Sequence, residues 1–413
     1  MNKRRIIVVG GGAAGLMAAG RAASLGGEVL LLEKMERTGR KIGISGKGRC
    51  NLGNTAPLME FLARFGKNGR FLRQCFQHFF TPQLTAFLEE RGLPLAVERG
   101  GRIFPVSGRA LDVVRVLSDW VRACGAQLRL DSAVDDILVE EGRVVGVRLG
   151  DRRIDGDRVI LATGGKSYPR TGSSGDGYRM ATALGHGLVP TRPALVPLTC
   201  PDPAIGTMAG LTLRNVEVRL LINGKRVDKQ FGELAFTPSG VGGPTVLTLS
   251  GQAVDALHQG RQVALSLDLK PALDPAQLDL RLQRDLKERG GEEIASILRG
   301  LLPKEMVGLC LAACDLPADI DCRRFPANSR RRLAQWLKDV RLDIDGHRSF
   351  AEAIVTAGGV PLKEVDPRTM ASRLVAGLYI VGELLDLHAD TGGYNLQAAF
   401  STGWVAGEAA ATG

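Results

Sequence analysis

Four consecutive β-branched residues, Ile6-Ile7-Val8-Val9, run without a break into Gly10-Gly11-Gly12-Ala13-Ala14-Gly15. The β-branched run predicts a buried parallel strand, and Gly10, Gly12 and Gly15 keep the G-x-G-x-x-G spacing. Gly10 permits a tight turn. Gly12 lets a pyrophosphate approach the backbone, and Gly15 lets the next helix pack on the strand with its first amides facing the anion. A second strand, Glu28-Val29-Leu30-Leu31-Leu32, ends at Glu33, placed to accept both hydroxyls of an adenosine ribose. A lone glycine-rich turn is weak evidence. Strand, glycines, helix, strand and terminal acid in this order are strong evidence.

The opposite end of the chain carries a second such feature. Gly377-Leu378-Tyr379-Ile380-Val381-Gly382-Glu383 reads as a buried strand and turn, and Gly392-Gly393-Tyr394-Asn395-Leu396-Gln397 opens a small-residue helix. Two phosphate- or ring-binding turns at opposite ends imply one long cofactor spanning a domain built from both termini. FAD has that length. The helix beginning near Asn395 would point its amides at the N1–C2=O side of the flavin ring, where negative charge collects on reduction. Glu383 would accept from a ribityl hydroxyl, or cap a helix in a loop.

Composition narrows the class further. The basic start Met1-Asn2-Lys3-Arg4-Arg5 before an apolar run resembles a secretory signal, but five glycines interrupt that run and the motif continues to Glu33. With no run of about 18 apolar residues, a soluble cytoplasmic protein is expected. Seven cysteines without a C-x-x-C fit a reducing compartment. Cys310 and Cys314, with Cys322 beyond, read as an apolar helix face rather than a metal site. The net charge of +10 concentrates in clusters at Arg64–Arg73 and Arg323–Arg332. These are either solvated helix faces or a track for a polyanion such as ribosomal RNA. Arg37, Arg40, Arg49, Lys41 and Lys47 fall instead beside the expected diphosphate.

Helical patterns follow around 57–65, 70–78 and 82–91, and an amphipathic helix spans Ala110 to Cys124. Strands near 127–130, 133–139 and 143–149 read as a β-meander, and Val159–Ala162 as a buried strand. From about residue 190 the alternation of Val216, Val218 and Leu220, then Val263, Leu265 and Leu267, marks half-buried antiparallel strands. The expected organisation is a discontinuous dinucleotide-binding domain (1–190 and 350–413), a β-rich cap (191–270 and 329–349) and a helical insert (271–328).

Several segments together resemble the BaiN/RdsA-like flavoprotein family, which includes bacterial aminoacetone oxidase. They are Ser45-Gly46-Lys47-Gly48-Arg49-Cys50-Asn51, Ala162-Thr163-Gly164-Gly165-Lys166-Ser167-Tyr168-Pro169, Gly172-Ser173-Ser174-Gly175-Asp176-Gly177-Tyr178, and Thr356-Ala357-Gly358-Gly359-Val360 through Gly382-Glu383 to Gln397. The resemblance covers essentially the whole chain. It implies an α/β fold: a glutathione-reductase-like Rossmann FAD-binding domain with an inserted β-barrel-like cap carrying a small helical insert. It also implies that non-covalent FAD is held by Gly10, Gly12, Ala13, Ala14, Gly15, Glu33, Lys34, Gly39, Arg40, Lys41, Ser45, Gly46, Arg49, Val134, Thr163, Gly164, Gly165, Gly382, Glu383, Asn395 and Leu396. Members are credited with reduction of oxo-steroid-like acids, oxidation of a small aminoketone and reduction of a ribosomal RNA uridine, so the substrate stays open. The family's cap motif usually reads Phe-Thr-His, Gly, Ser-Gly-Pro. Here Pro238 stands for the histidine and Gly242 for the serine, which puts any role of that histidine in doubt.

With FAD carrying the redox chemistry, the residues must supply a proton. His388 faces the ring or is a solvated loop histidine, and Asp386 and Asp390 either orient it or solvate the loop. Tyr168 polarises a carbonyl or packs beside Pro169. Cys50 is a redox thiol or a small packing residue. No second G-x-G-x-x-G follows a strand, so NADH or NADPH as electron donor would visit the substrate's cavity and give ping-pong kinetics. Three functions fit: a flavin-dependent reductase or oxidase of a small conjugated carbonyl or amine, a ribosomal RNA uridine reductase, and a non-catalytic redox-responsive flavoprotein. The absence of an RNA-binding module favours the small molecule.

Overall fold

The computed structural model describes residues 4–317, 320 and 322–413. The first three residues of the basic start, and residues 318, 319 and 321 of the expected helical insert, lie outside the described residues. The chain divides into two compact units, Met1–Ala194 with Phe350–Gly413, and Leu195–Ser349. Among the described residues no helix is long and apolar enough to cross a membrane.

The first unit is built on a five-stranded parallel sheet in the order Leu378–Ile380, Arg158–Leu161, Arg5–Val9, Glu28–Leu32, Gln127–Arg129. Ile6, Val8, Ile160 and Ile380 are all fully buried, as expected where a parallel sheet is covered on both faces. The two chain ends meet because small residues let them. The Gly392–Thr412 helix lies against the Ala13–Ser24 helix, and a Cβ at Gly403 or Gly407 would come within 2.2 Å of Ala14 O or 2.4 Å of Ala18 O. Side chains there would force the helices apart.

Gln127–Arg129, expected in the meander, is instead the parallel edge strand beside Glu28–Leu32. Its half-buried middle residue between two exposed ones gives an alternation that cannot be told from a hairpin strand. The meander itself is Asp136–Glu140, Arg143–Leu149 and Arg152–Asp155. An antiparallel pair of Val189–Ala194 with Val355–Gly359 also belongs to this unit.

The second unit contains a seven-stranded sheet whose order begins with Val340–Ile344 and ends with Gly346–His347. Only Asp345 separates these two in the chain, so one stretch of backbone pairs with both ends of the sheet and closes it into a barrel. Helices Pro275–Glu288, Ile294–Leu298, Lys304–Ala313 and Ala327–Lys338 accompany it. Asp274 starts the first of these with a capping box, its carboxylate accepting from Gln277 N at 2.8 Å while Gln277 Oε1 accepts from Asp274 N at 3.0 Å. Helices also form where the sequence reading expects none, among them Arg40–Gly48, Asp176–Ala183 and Pro244–His258, the last with a Thr245-Val246 start that looks strand-like. Pro238 and Ser239 form the two-residue turn between the paired residues Thr237 and Gly240. Proline presets φ at such a turn, and a Cβ at Gly242 would meet only ordinary contacts with Pro197 at 3.6 Å. Both departures from the family's motif are therefore accommodated without strain.

Candidate functional site

At the carboxyl end of the parallel sheet the three spaced glycines are constrained differently. Gly10 has φ +103°, and a Cβ there would lie 2.6 Å from Ala162 O; one on Gly15 would lie 1.8 Å from Gly10 O. Those two are required by packing. A Cβ on Gly12 would meet nothing within 4 Å. Space is thus left open over Gly12, beside a helix start at Ala13 and Ala14 that has no side-chain cap, which is the environment an anionic diphosphate needs. Glu33 accepts from Gly11 N at 2.7 Å through one oxygen and from Met35 N at 2.9 Å through the other. Its carboxylate fixes the glycine turn and keeps lone pairs for ribose hydroxyls.

A second group of residues gathers segments far apart in sequence. Lys41 Nζ donates to Ser167 Oγ at 2.6 Å and to Glu383 Oε2 at 2.7 Å. Glu383 Oε1 accepts from Ser167 Oγ at 2.8 Å and from Thr356 N at 2.7 Å. Thr356 Oγ1 in turn accepts from Lys166 N at 2.8 Å and Ser167 N at 3.1 Å, locking the Gly164-Gly165 turn. A Cβ on Gly165 would sit 2.4 Å from Thr356 Oγ1, so only glycine allows this approach. Tyr178 Oη donates to Glu383 O at 3.0 Å. Burial, with Glu383 and Asp386 nearby, pushes its hydroxyl well up, so it stays a donor. Glu383 is therefore the junction of four segments rather than simply a ribityl acceptor. Sequence reasoning missed Thr356, which reads as one more strand residue, and left Ser167 off the candidate set.

The C-terminal helix begins at Gly392 with Thr391 as its N-cap, three residues before Asn395. Asn395 serves the loop before it, accepting from Ala389 N at 2.9 Å and donating to Ala389 O at 3.1 Å and Thr391 O at 2.7 Å. Leu396 is half-buried on the same turn. Asn51 Oδ1 lies 2.8 Å from where a Gly393 Cβ would be. Asn51 Oδ1 and Thr163 Oγ1 are both buried with no hydrogen-bond partner among the described residues. A buried polar atom left unsatisfied costs about 1–3 kcal/mol, which a bound group's polar edge would relieve. Open space over Gly12, an acid with lone pairs to spare and two orphaned polar atoms suit FAD.

Several of the loop cations pair within the protein. Arg49, expected at the diphosphate, pairs with Glu98 and lies over the Phe104 ring at 4.3 Å. Arg40 pairs with Glu36 and donates to Arg170 O at 2.9 Å. Lys34 donates to Ser174 Oγ and to Asp176 at 2.6 Å. Gly39 (φ +67°) starts the Arg40–Gly48 helix against Val114, Ser45 Oγ donates to Ile42 O at 2.7 Å, and Gly46 (φ +56°) packs on Asn51 N. Val134 is buried between the Gln127–Arg129 and Asp136–Glu140 strands, and Gly382 (φ +68°) turns against Ala14. Burial raises the Asp176 carboxyl, but its bonds to Lys34 and Ser174 outweigh that and hold it below the usual 3.8. Stability from such a group is present above its unfolded value and is lost as pH falls through the folded one. Asp176→Asn is expected to cost under about 1 kcal/mol at pH 7, because the pair is partly exposed. In urea titrations its gap to the parent should close as pH drops below about 4.

Of the three candidate proton or redox groups, Tyr168 is half-buried in a left-handed backbone conformation (φ +50°), its N–H donating to Phe350 O at 2.9 Å. His388 is half-buried between Leu387 and Ala389. Asp386 accepts from Asn68, and Asp390 pairs with Arg64 at 3.2 Å. Cys50 is fully buried, and burial pushes its thiol up to about 12. A thiol that stays protonated is a poor nucleophile or redox partner, so the packing role fits it. Native protein treated with iodoacetamide at pH 8 should show no Cys50 adduct by mass spectrometry, with alkylation appearing only after denaturation.

The whole architecture has counterparts. The family model described as HI0933-like protein Rossmann domain matches residues 4–409. The chain is 34% identical over 405 residues to a 3-dehydro-bile acid delta(4,6)-reductase of Clostridium scindens, covering 96% of each chain. It is 29% identical to a ribosomal RNA dihydrouridine synthase of Escherichia coli, covering 94% of each. In fold it is similar to the 3-ketosteroid-delta4-(5alpha)-dehydrogenase of Rhodococcus jostii, with a TM-score of 0.52 at 18% identity, over 100% of this chain and 97% of the other. By this match along nearly its full length, and with a cradle suited to the cofactor, the chain belongs to the HI0933-like Rossmann-domain family of FAD-dependent oxidoreductases.

Proposed function

We propose that this protein is an NAD(P)H-linked reductase that saturates a carbon–carbon double bond conjugated to a carbonyl in a small molecule. The observation that carries the reading is the 34% identity to a delta(4,6)-reductase along 96% of both chains. The dihydrouridine synthase named among its relatives fits the same chemistry, because dihydrouridine is uridine with its conjugated ring double bond saturated. Bound FAD would supply hydride transfer through N5. The residues of this chain do the rest. Gly12 and the first amides after it would hold the diphosphate, and Glu33 the adenosine ribose. Lys41, Glu383, Ser167 and Thr356 keep the Gly164-Gly165 turn in place. Tyr168 and His388 are the groups available to deliver a proton to the substrate carbon. General acid catalysis is worth about 10²–10⁴-fold. Of Tyr168→Phe and His388→Gln, the variant that slows oxidation of the reduced enzyme by an enone about 100-fold, with reduction by NAD(P)H unchanged, identifies the donor. Loss in neither removes both from this role.

The small-molecule reading also draws on the basic clusters, whose members are partly spent inside the protein. Arg330 pairs with Asp279 at 2.7 Å and Arg64 with Asp390 at 3.2 Å, while Arg332 donates to Asp315 O and Ser329 Oγ. Binding to a ribosomal RNA fragment, measured at two salt concentrations, is expected to be absent or insensitive to Arg330→Gln, Arg331→Gln and Arg332→Gln combined. Tight binding at low salt would instead favour the RNA substrate, with a log–log salt slope flattened by about three contacts in that triple variant. For the small-molecule reaction itself, steady-state rates with NAD(P)H and an enone should give parallel double-reciprocal lines. Rapid stoichiometric peroxide formation from an aminoketone would point to an oxidase.

A further inference from the structure

A cavity of about 270 Å³ opens within the Leu195–Ser349 unit, and no residue assigned to FAD above lines it. Leu213, Val216 and Leu269 form its barrel side, and Leu301, Leu302 and Pro303 its helical side. Against these apolar walls stand only two charged residues, Arg214 and Lys270, both cationic. Lys270 is half-buried and makes no ion pair among the described residues. The nearby carboxylates are already engaged: Asp268 by Lys338 at 2.6 Å and Arg219 at 3.2 Å, and Asp285 by Arg281 at 2.7 Å. Burial and the neighbouring Arg281 charge both hold the Lys270 ammonium below its ordinary value, as expected of a cation lacking a counter-ion.

The wall carrying Lys270 is held firmly. Lys338 Nζ donates to Lys270 O at 3.1 Å and to Leu273 O at 2.8 Å, and Lys270 N donates to Asp268 Oδ1 at 2.9 Å. A cation on a fixed stretch of backbone, with no ion pair among the described residues and set among leucines, is complementary to a ligand that is apolar along its length and anionic at one end. At the packing density of protein interiors the volume admits about ten to twelve non-hydrogen atoms. We propose that this cavity binds an amphipathic monocarboxylate of medium chain length, its carboxylate facing Lys270 and Arg214 and its hydrocarbon lying on the leucines. The proposal is independent of which substrate the flavin reduces.

Calorimetric titration of the flavin-loaded full chain with octanoate, octan-1-ol and octylammonium tests it. Octanoate is expected to bind about tenfold or more tighter than octan-1-ol, and octylammonium not at all. Lys270→Met should weaken octanoate about tenfold, leave octan-1-ol unchanged and leave the flavin spectrum intact. Arg214→Gln, at an exposed position, should weaken octanoate severalfold, and it decides the matter if Lys270→Met does not fold. Thr212→Trp, at the exposed rim, should abolish binding of both neutral and anionic probes. Equal affinity for octanoate and octan-1-ol, no binding of octanoate, or octanoate binding untouched by both charge variants would overturn the proposal.

Discussion

Gly12→Leu is expected to fold, to stay soluble and to purify without colour. The position is the one member of the glycine motif where a Cβ meets nothing within 4 Å, so the protein itself has no objection to a side chain there. The space it would fill is the one proposed above for the diphosphate, and backbone contact with an anion cannot be made across a leucine. Flavin content, read from absorbance near 450 nm against protein concentration, should fall by about tenfold or more while the far-ultraviolet circular dichroism stays that of the parent. Gly15→Leu is the contrasting case. Its Cβ would lie 1.8 Å from Gly10 O, so the first helix cannot stay packed on the strand, and soluble protein should be lost rather than flavin alone. A Gly12→Leu variant that kept its full flavin would place the cofactor elsewhere.

Glu383→Ala is expected to cost more stability than any other single change among the polar residues of the site. It strips partners from Lys41 Nζ, Ser167 Oγ and Thr356 N at once. Removing one partner of a buried ion pair costs about 3–5 kcal/mol. Lys41 and Glu383 keep 27% and 19% side-chain exposure, so about 2–4 kcal/mol is the expected range after solvent screening. For a unit of this size that is a fall of about 5–10 °C in the melting temperature, measurable by calorimetry with and without added FAD. Glu383→Gln keeps two acceptor positions and should lose roughly half as much. A melting temperature within about 1 °C of the parent for Glu383→Ala would mean that the junction contributes little.

The parts of this molecule legible in the sequence are those whose physics is local. Ile6-Ile7-Val8-Val9 and Gly10, Gly12 and Gly15 encode a strand, a turn and a helix start within a dozen residues, and the structure forms them there. Gly403 and Gly407 could be read only as part of a small-residue helix; that they face Ala14 and Ala18 depends on the far end of the chain. The same holds for Lys41, whose partner Glu383 is 342 residues away. Local reading assigns such a lysine to the nearest expected anion. Arg49 likewise pairs with a carboxylate that lies farther along the chain, on the Leu95–Glu98 strand. The Pro244–His258 helix was hidden by β-branched residues whose burial against the barrel overrides their propensity. Thr356 had no signal of its own, because a strand threonine becomes a clamp only when the Gly164-Gly165 turn is brought to it.

The most direct test is an anaerobic single-turnover measurement on the purified protein, following the flavin absorbance. On addition of NADH or NADPH the bands near 450 nm are expected to bleach. On subsequent mixing with a conjugated enone they should return, with one saturated product formed per flavin and little return with oxygen on the same timescale. Failure of both nicotinamides to bleach the bands, or recovery with oxygen and peroxide formation but never with an enone, would contradict the reductase function.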